Sequence, residues 1–189
     1  MSKAPDIGWH ILDPDFGEIL LHSVVVGEGW LHSASAMAAT APPGFVSPYW
    51  AKTMMGAVDP RKEAVWEAVR KDVSPDLPSR MGALFLFPTK EEAETSLTDW
   101  FKDSGRSIFL RVRMPFHSAH LADGKWLDCI EREWIDCATR YWLGEMRVAP
   151  RRELVVDGRV YFPDWKMPPF RRLPAGLASV ASGKRRDHR

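Results

Sequence analysis

The chain has 189 residues, 45% of them hydrophobic and 27% charged, and a formal net charge of +1. That length suits one core of good size or two small ones, and the balanced charge gives no global field for nucleic acid or a membrane surface. No apolar run is long enough to span a bilayer, no secretory leader pattern opens the chain, and the two cysteines read as reduced thiols, so the expected compartment is the cytoplasm.

Glu18 to Val26 (EILLHSVVV) is a near-continuous apolar run with β-branched residues. It predicts a buried strand, interrupted by His22 and ending at Gly27-Glu28-Gly29. Trp30 to Pro48 is rich in Ala, Ser, Pro and Gly and predicts loop or short helix. Pro60 to Arg70 predicts a helix capped by Asp59, with Pro60 in its first turn and Ala64, Val65, Ala68 and Val69 as its apolar stripe.

Leu77-Pro78-Ser79-Arg80 leads into Gly82 to Phe87, a second expected strand. Thr89 and Glu92 form a capping-box pattern for a helix from Lys90 to about Lys102, with Gly105 as its stop. Arg106 to Met114 (RSIFLRVRM) predicts a third strand, one face apolar and the other partly basic. His120 to Asp128 predicts a turn and short strand around Asp123-Gly124. Cys129 to Leu143 predicts an amphipathic helix. On one helix its two cysteines would stand roughly 12 Å apart, too far for a disulfide.

Arg151 to Phe162 predicts two short strands joined by a tight Asp157-Gly158 turn. After Pro163 the chain becomes Pro-rich and then basic. Residues 1–174 are expected to form a single domain and residues 175–189 a disordered basic tail. Strands and helices do not alternate strictly, so the expected class is α+β with a mixed or antiparallel sheet.

Three places carry candidate chemistry. His22, on its buried strand, is either a core residue or a hydrogen-bonding group for a ligand's hydroxyls. Ser79 and Arg80 sit at a strand entrance, where Arg suits bidentate contact with phosphate or carboxylate, or pairs with a surface acid. Glu153 opens a strand that disfavours Glu and is followed by an apolar run. It is either ion-paired or placed to stabilise positive charge on a substrate, as a carboxylate does for an oxocarbenium-like state. No Walker, GxGxxG, GxSxG or HExxH pattern is present. His10, His32, His117 and His120 show no metal-type spacing, so no metal site is expected.

In this order the three segments resemble the ADP-ribosyltransferase superfamily. The resemblance rests on a His in the first strand (Leu21-His22-Ser23) and a Ser-bearing strand entrance (Ser79-Arg80, then the strand to Phe87). Its third element is a Glu opening a late strand (Glu153-Leu154-Val155-Val156-Asp157-Gly158). It spans most of the chain, from Glu18 to Phe162, through short motifs. It implies a split, strongly bent sheet gripping NAD as substrate, with no metal. Glu153, His22 and Ser79 would be catalytic, and His22, Ser23, Ser79, Arg80 and Phe85 would bind NAD. The implied activity is mono-ADP-ribosyl transfer to a protein or nucleic acid, a chemistry suited to a bacterial toxin. Residue 151 is Arg where arginine- and guanine-modifying members carry Gln or Glu. The competing expectations are a non-catalytic α+β interaction module and a nucleic-acid-binding domain that uses Arg106, Arg111, Arg113 and the tail.

Overall fold

The computed structural model describes residues 5–13, 17–37 and 58–171. The expected loop from residue 38 to Pro48 and the basic tail lie outside the described residues. The described chain is α+β, and every strand pair in its five-stranded sheet is antiparallel.

The elements in chain order are β1 (Ile7–Ile11), α1 (Gly17–Val26), β2 (Trp30–His32), the short α2 (Ala34–Met37), α3 (Pro60–Val73), β3 (Leu84–Leu86), α4 (Lys90–Asp99), β4 (Phe109–Asp123), two 3₁₀ turns (Gly124–Asp128 and Glu131–Glu133), α5 (Trp134–Trp142) and β5 (Arg152–Tyr161). The strand order is β1-β4-β5-β2, with β3 also pairing β5. A bridge between Trp9 and Phe87, with N–H···O distances of 2.8 and 2.7 Å, ties the end of β3 back to β1.

Several expectations are corrected. Glu18 to Val26 is helix α1, not a strand. Leu21 and Val24 are its buried contacts with the sheet core, and Leu20 and Val25 pack beside them, which is helical spacing. That burial overrides the strand preference of the β-branched run. The helix ends as a Schellman turn. Gly29 N–H reaches Val24 O at 2.8 Å, Glu28 N–H reaches Val25 O at 3.1 Å, and Glu28 takes φ 51°.

The expected Asp157-Gly158 hairpin is instead the interior of one ten-residue strand. Gly158 pairs with His117 across β4 at φ 113°, and a Cβ there would lie 2.6 Å from Phe116 O. The glycine therefore serves a close backbone approach rather than a turn. Asp157 accepts hydrogen bonds from the Ser33 hydroxyl and from Gly158 N–H, tying β5 to the segment after β2.

β4 is longer than expected. It shifts register between Arg113 and Phe116, where Pro115 cannot donate to the ladder. Its first half pairs with β1 and its second half with β5. Arg106 precedes it.

The α3 helix has its expected cap, Asp59 accepting from Arg61 N–H at 2.9 Å. Its apolar stripe is corrected, however. Ala64 and Ala68 are exposed, and the buried face carries Glu63, Trp66 and Arg70. Helix α4 has its Thr89 cap, 3.2 Å from Glu92 N, but ends at Asp99. Helix α5 is shorter than expected. Cys129 precedes it with extended backbone (ψ 157°), so Cys129 and Cys137 do not share a helix. Both are free thiols within one core cluster.

The sheet separates two main cores. Leu154 and Val156 of β5 face α1. Val155, on the opposite face, packs with Trp66 of α3 and Tyr141 and Trp142 of α5. Ile11, Phe87 and Ala93 form a smaller third cluster under α4. Among the described residues, no helix is long and apolar enough to cross a membrane.

Candidate functional site

Glu153 is the second residue of β5 and shares the Val155 face, turned toward α3 and α5. It is 4% exposed. A buried carboxylate needs partners, and it has two. Arg80 Nη1 donates to Oε1 at 3.0 Å, and the Tyr141 hydroxyl donates to the same oxygen at 2.7 Å. Arg80 Nη1 also donates to the Tyr141 oxygen at 2.6 Å, closing a triangle. On its other side the Arg80 Nε donates to Glu63 Oε2 at 3.3 Å. One guanidinium thus stands between two buried carboxylates. Burial, followed by the opposing influences of Arg80 and Glu153, holds the Tyr141 phenol well above its ordinary pKa, so it is present as a hydrogen-bond donor.

Arg80 is delivered here by the turn after α3, and a second network fixes that turn. Arg70 donates to Pro75 O at 2.7 Å and to Leu77 O at 2.8 Å, and it grips Glu67 at 2.8 and 3.0 Å. Ser79 Oγ donates to Glu67 Oε2 at 2.9 Å and accepts from Met81 N–H at 3.3 Å. Ser79 therefore holds the turn that positions Arg80 and does not itself touch Glu153. The Phe85 ring lies under the Arg80 guanidinium, 4.9 Å from its centroid, and the Tyr141 ring lies at 5.3 Å.

The structure brings together Arg80, Phe85 and Glu153, with Ser79 one residue away. It does not bring His22 or Ser23 to them. Both belong to α1, which packs on the opposite face of the sheet, and His22 is exposed there. Ser23 Oγ donates to Ile19 O at 2.8 Å within that helix.

Sequence reasoning missed four residues around this site. Glu63 and Tyr141 supply half of the buried cluster. Their signal was a charged or phenolic residue on a buried helix face, three residues before Trp66 and seven after Trp134. His10 is the histidine of the actual first strand, and its Nδ1 lies 3.1 Å from Phe85 O. Asp123 is fully buried at the end of β4 and accepts from three backbone N–H groups, of Lys125 at 3.0 Å and of Arg147 and Arg151 at 2.9 Å. It pins the loop that leads into Glu153. In the same loop, the Arg151 side chain reaches Gly124 O at 2.6 Å and Asp128 at 2.9 Å and lies 4.0 Å over Trp100. This chain uses residue 151 as a structural clasp. Among the described residues, no group of three or more His, Cys, Asp or Glu is arranged to hold a metal ion.

Residues 45–164 match a family described as "Protein of unknown function (DUF2441)". The chain belongs to the DUF2441 family. The matched segment runs from before α3 through Arg80 and Tyr141 to the end of β5, so it contains every member of the buried cluster and leaves β1, α1 and β2 outside. No curated protein matches the chain.

Proposed function

We propose that this DUF2441 protein is an NAD-dependent mono-ADP-ribosyltransferase centred on Glu153. The observation that carries this reading is the pair of buried carboxylates, Glu63 and Glu153, sharing one guanidinium. Two carboxylate groups gathered around one guanidinium offer acceptor oxygens to a cation in a low-dielectric setting, and an oxocarbenium ion is one. The three segments of the resemblance also form a connected path once the first-strand histidine is taken as His10. His10 meets the Phe85 backbone, Phe85 stacks on Arg80, and Arg80 meets Glu153.

NAD would enter as substrate with its nicotinamide ribose toward Glu153 and its pyrophosphate toward Arg80. The bond from the ribose C1′ to the nicotinamide nitrogen breaks, and its electron pair leaves with nicotinamide. Glu153 stabilises the resulting charge through the 2′-hydroxyl. A nucleophile of a protein or nucleic-acid acceptor then bonds C1′ and gives up its proton to water. Glu153 is nearly inaccessible in its pair with Arg80, so binding requires Arg80 to exchange its carboxylate partner for phosphate oxygens. Two free thiols suit a reducing compartment, and we place the reaction in the cytoplasm.

The test is incubation of the full chain with labelled NAD and a cell lysate, alongside NAD-dependent thermal stabilisation. Label transfer that Glu153→Gln abolishes, and NAD stabilisation that His10→Ala weakens but His22→Ala does not, support the reading. Equal labelling by Glu153→Gln overturns it. A second reading, a non-catalytic interaction module, is favoured by the same oxygen of Glu153 already accepting from both Arg80 and Tyr141. It predicts no response to NAD at all.

A further inference from the structure

At the end of the sheet remote from Glu153, the strand registers assemble a partly exposed aromatic surface edged by exposed arginines. Trp30 of β2 pairs with Tyr161 of β5, which pairs with Arg113 of β4. In the next row Arg159 pairs with Phe116. The Arg159 guanidinium lies 4.3 Å from the Trp30 ring centroid and 5.2 Å from that of Phe116. The Trp30 and Phe116 rings are stacked at 6.3 Å with 28° between planes, and Tyr161 is 5.0 Å from Trp30. Phe116 is 60% exposed, so one face of its ring is open to solvent. Arg111 and Arg113 are exposed on the same strand as Phe116. Among the described residues, no carboxylate lies within ion-pair distance of Arg113 or Arg159, and the half-exposed Arg111 reaches Asp164 across 3.5 Å.

We propose that this surface binds single-stranded nucleic acid, with bases stacking on Phe116, Trp30 and Tyr161 and phosphates on Arg111, Arg113 and Arg159. One exposed ring and two half-buried ones, flanked by three exposed guanidiniums of which Arg111 shares Asp164, match on this sheet the two demands of such a ligand. Every base has a π-face, and every linkage carries a negative charge. An acidic peptide would satisfy the arginines but leave the rings without partners. Tyr161 lies roughly 25 Å along β5 from Glu153, so the surface is a separate place from the buried cluster.

The experiment is fluorescence anisotropy of the full chain with fluorescein-labelled 12-nucleotide oligo(U) and oligo(dT), without NAD, so that its outcome is independent of any NAD chemistry. The expected result is binding whose log–log salt slope is about −2, for three phosphates neutralised on a single strand. Phe116→Ala weakens binding about tenfold. Arg113→Ala flattens the slope by about 0.7. Both positions are exposed, and unchanged thermal melting of each variant verifies that the fold is intact. Polyglutamate displaces the oligonucleotide poorly. The proposal is overturned by absence of binding at about 50 mM salt, by binding that neither variant changes, which would put it on another part of the chain, or by equal competition from polyglutamate.

Discussion

Arg80 and Glu153 are 73 positions apart in sequence and meet at 3.0 Å in the interior, each less than a tenth exposed. The pair joins the turn after α3 to the opening of the last strand. Removing one partner leaves the other charged and unsolvated, which is a larger loss than the pair's own net contribution. Arg80→Ala is therefore expected to destabilise by about 3 to 5 kcal/mol, because it abandons Glu63 as well as Glu153. The triple change Arg80→Met, Glu63→Gln, Glu153→Gln is expected to recover most of that loss. Urea unfolding of the two variants checks the difference, and equal midpoints would mean the cluster is not energetically coupled.

Stability is expected to fall as pH drops below about 6.5 on account of His120. This imidazole is 5% exposed, its Nε2 donates to Tyr141 O at 2.8 Å, and burial, against that hydrogen bond and together with Arg80, lowers its pKa. Above about pH 6.5 the ring is neutral in both states. Below that, the unfolded chain takes up a proton that the folded chain resists. Stability then declines at up to about 1.4 kcal/mol per pH unit until the folded pKa is reached. Glu67 also has a shifted pKa. Burial raises it, but hydrogen bonds from Arg70 and Ser79 outweigh burial and lower it, so its contribution is lost only at more acid pH. Urea midpoints across the window, compared with those of His120→Gln, isolate the imidazole. The variant is expected to show a flatter profile whatever its absolute stability.

Cys137 is expected to resist alkylation. Burial first, and then its contact with Cys129, push its thiol up to about 12. At pH 8 almost no thiolate is present, and the thiolate is the nucleophile. Iodoacetamide labelling of the native chain, read by mass, is expected to modify Cys129 well before Cys137. Labelling of both at one rate would contradict the buried placement.

Asp123→Ala is expected to cost on the order of 3 kcal/mol, since three backbone N–H groups lose a charged acceptor together. The damage is expected to concentrate in residues 145–151. Hydrogen exchange of that loop should rise in the variant while β4 and β5 retain protection.

The capped helices were legible because their signals are local: Asp59-Pro60 and Thr89 to Glu92 act within one turn. Helix α5 was legible from its periodic apolar face. What failed depended on distant partners. Nothing near Ile7 to Ile11 announces a strand, because its ladder is supplied by residues 109–113. Asp157-Gly158 reads as a turn locally, but β4 runs alongside and keeps the strand straight. Helix α1 has the composition of a strand, and only its packing against the sheet decides otherwise. At the candidate site, the oddity of Glu153 and its need for an ionic partner were visible, but that the partner is Arg80, 73 positions away, was not. Glu63 and Tyr141 were hidden, since a helix interior shows no sign of which polar residue faces inward until its neighbours are placed.

The position of β1 has a practical consequence. This strand lies before the family-matched segment, yet it occupies the outer edge of β4 and is bridged to Phe87. A recombinant fragment limited to residues 45–164 would bare the backbone donors and acceptors of residues 109–113 and uncover Leu86 and Met114, which now crowd Gly8. Such an unpaired, apolar border recruits other chains. The fragment should therefore collect in inclusion bodies, and co-expressed residues 1–37 should return it to solution.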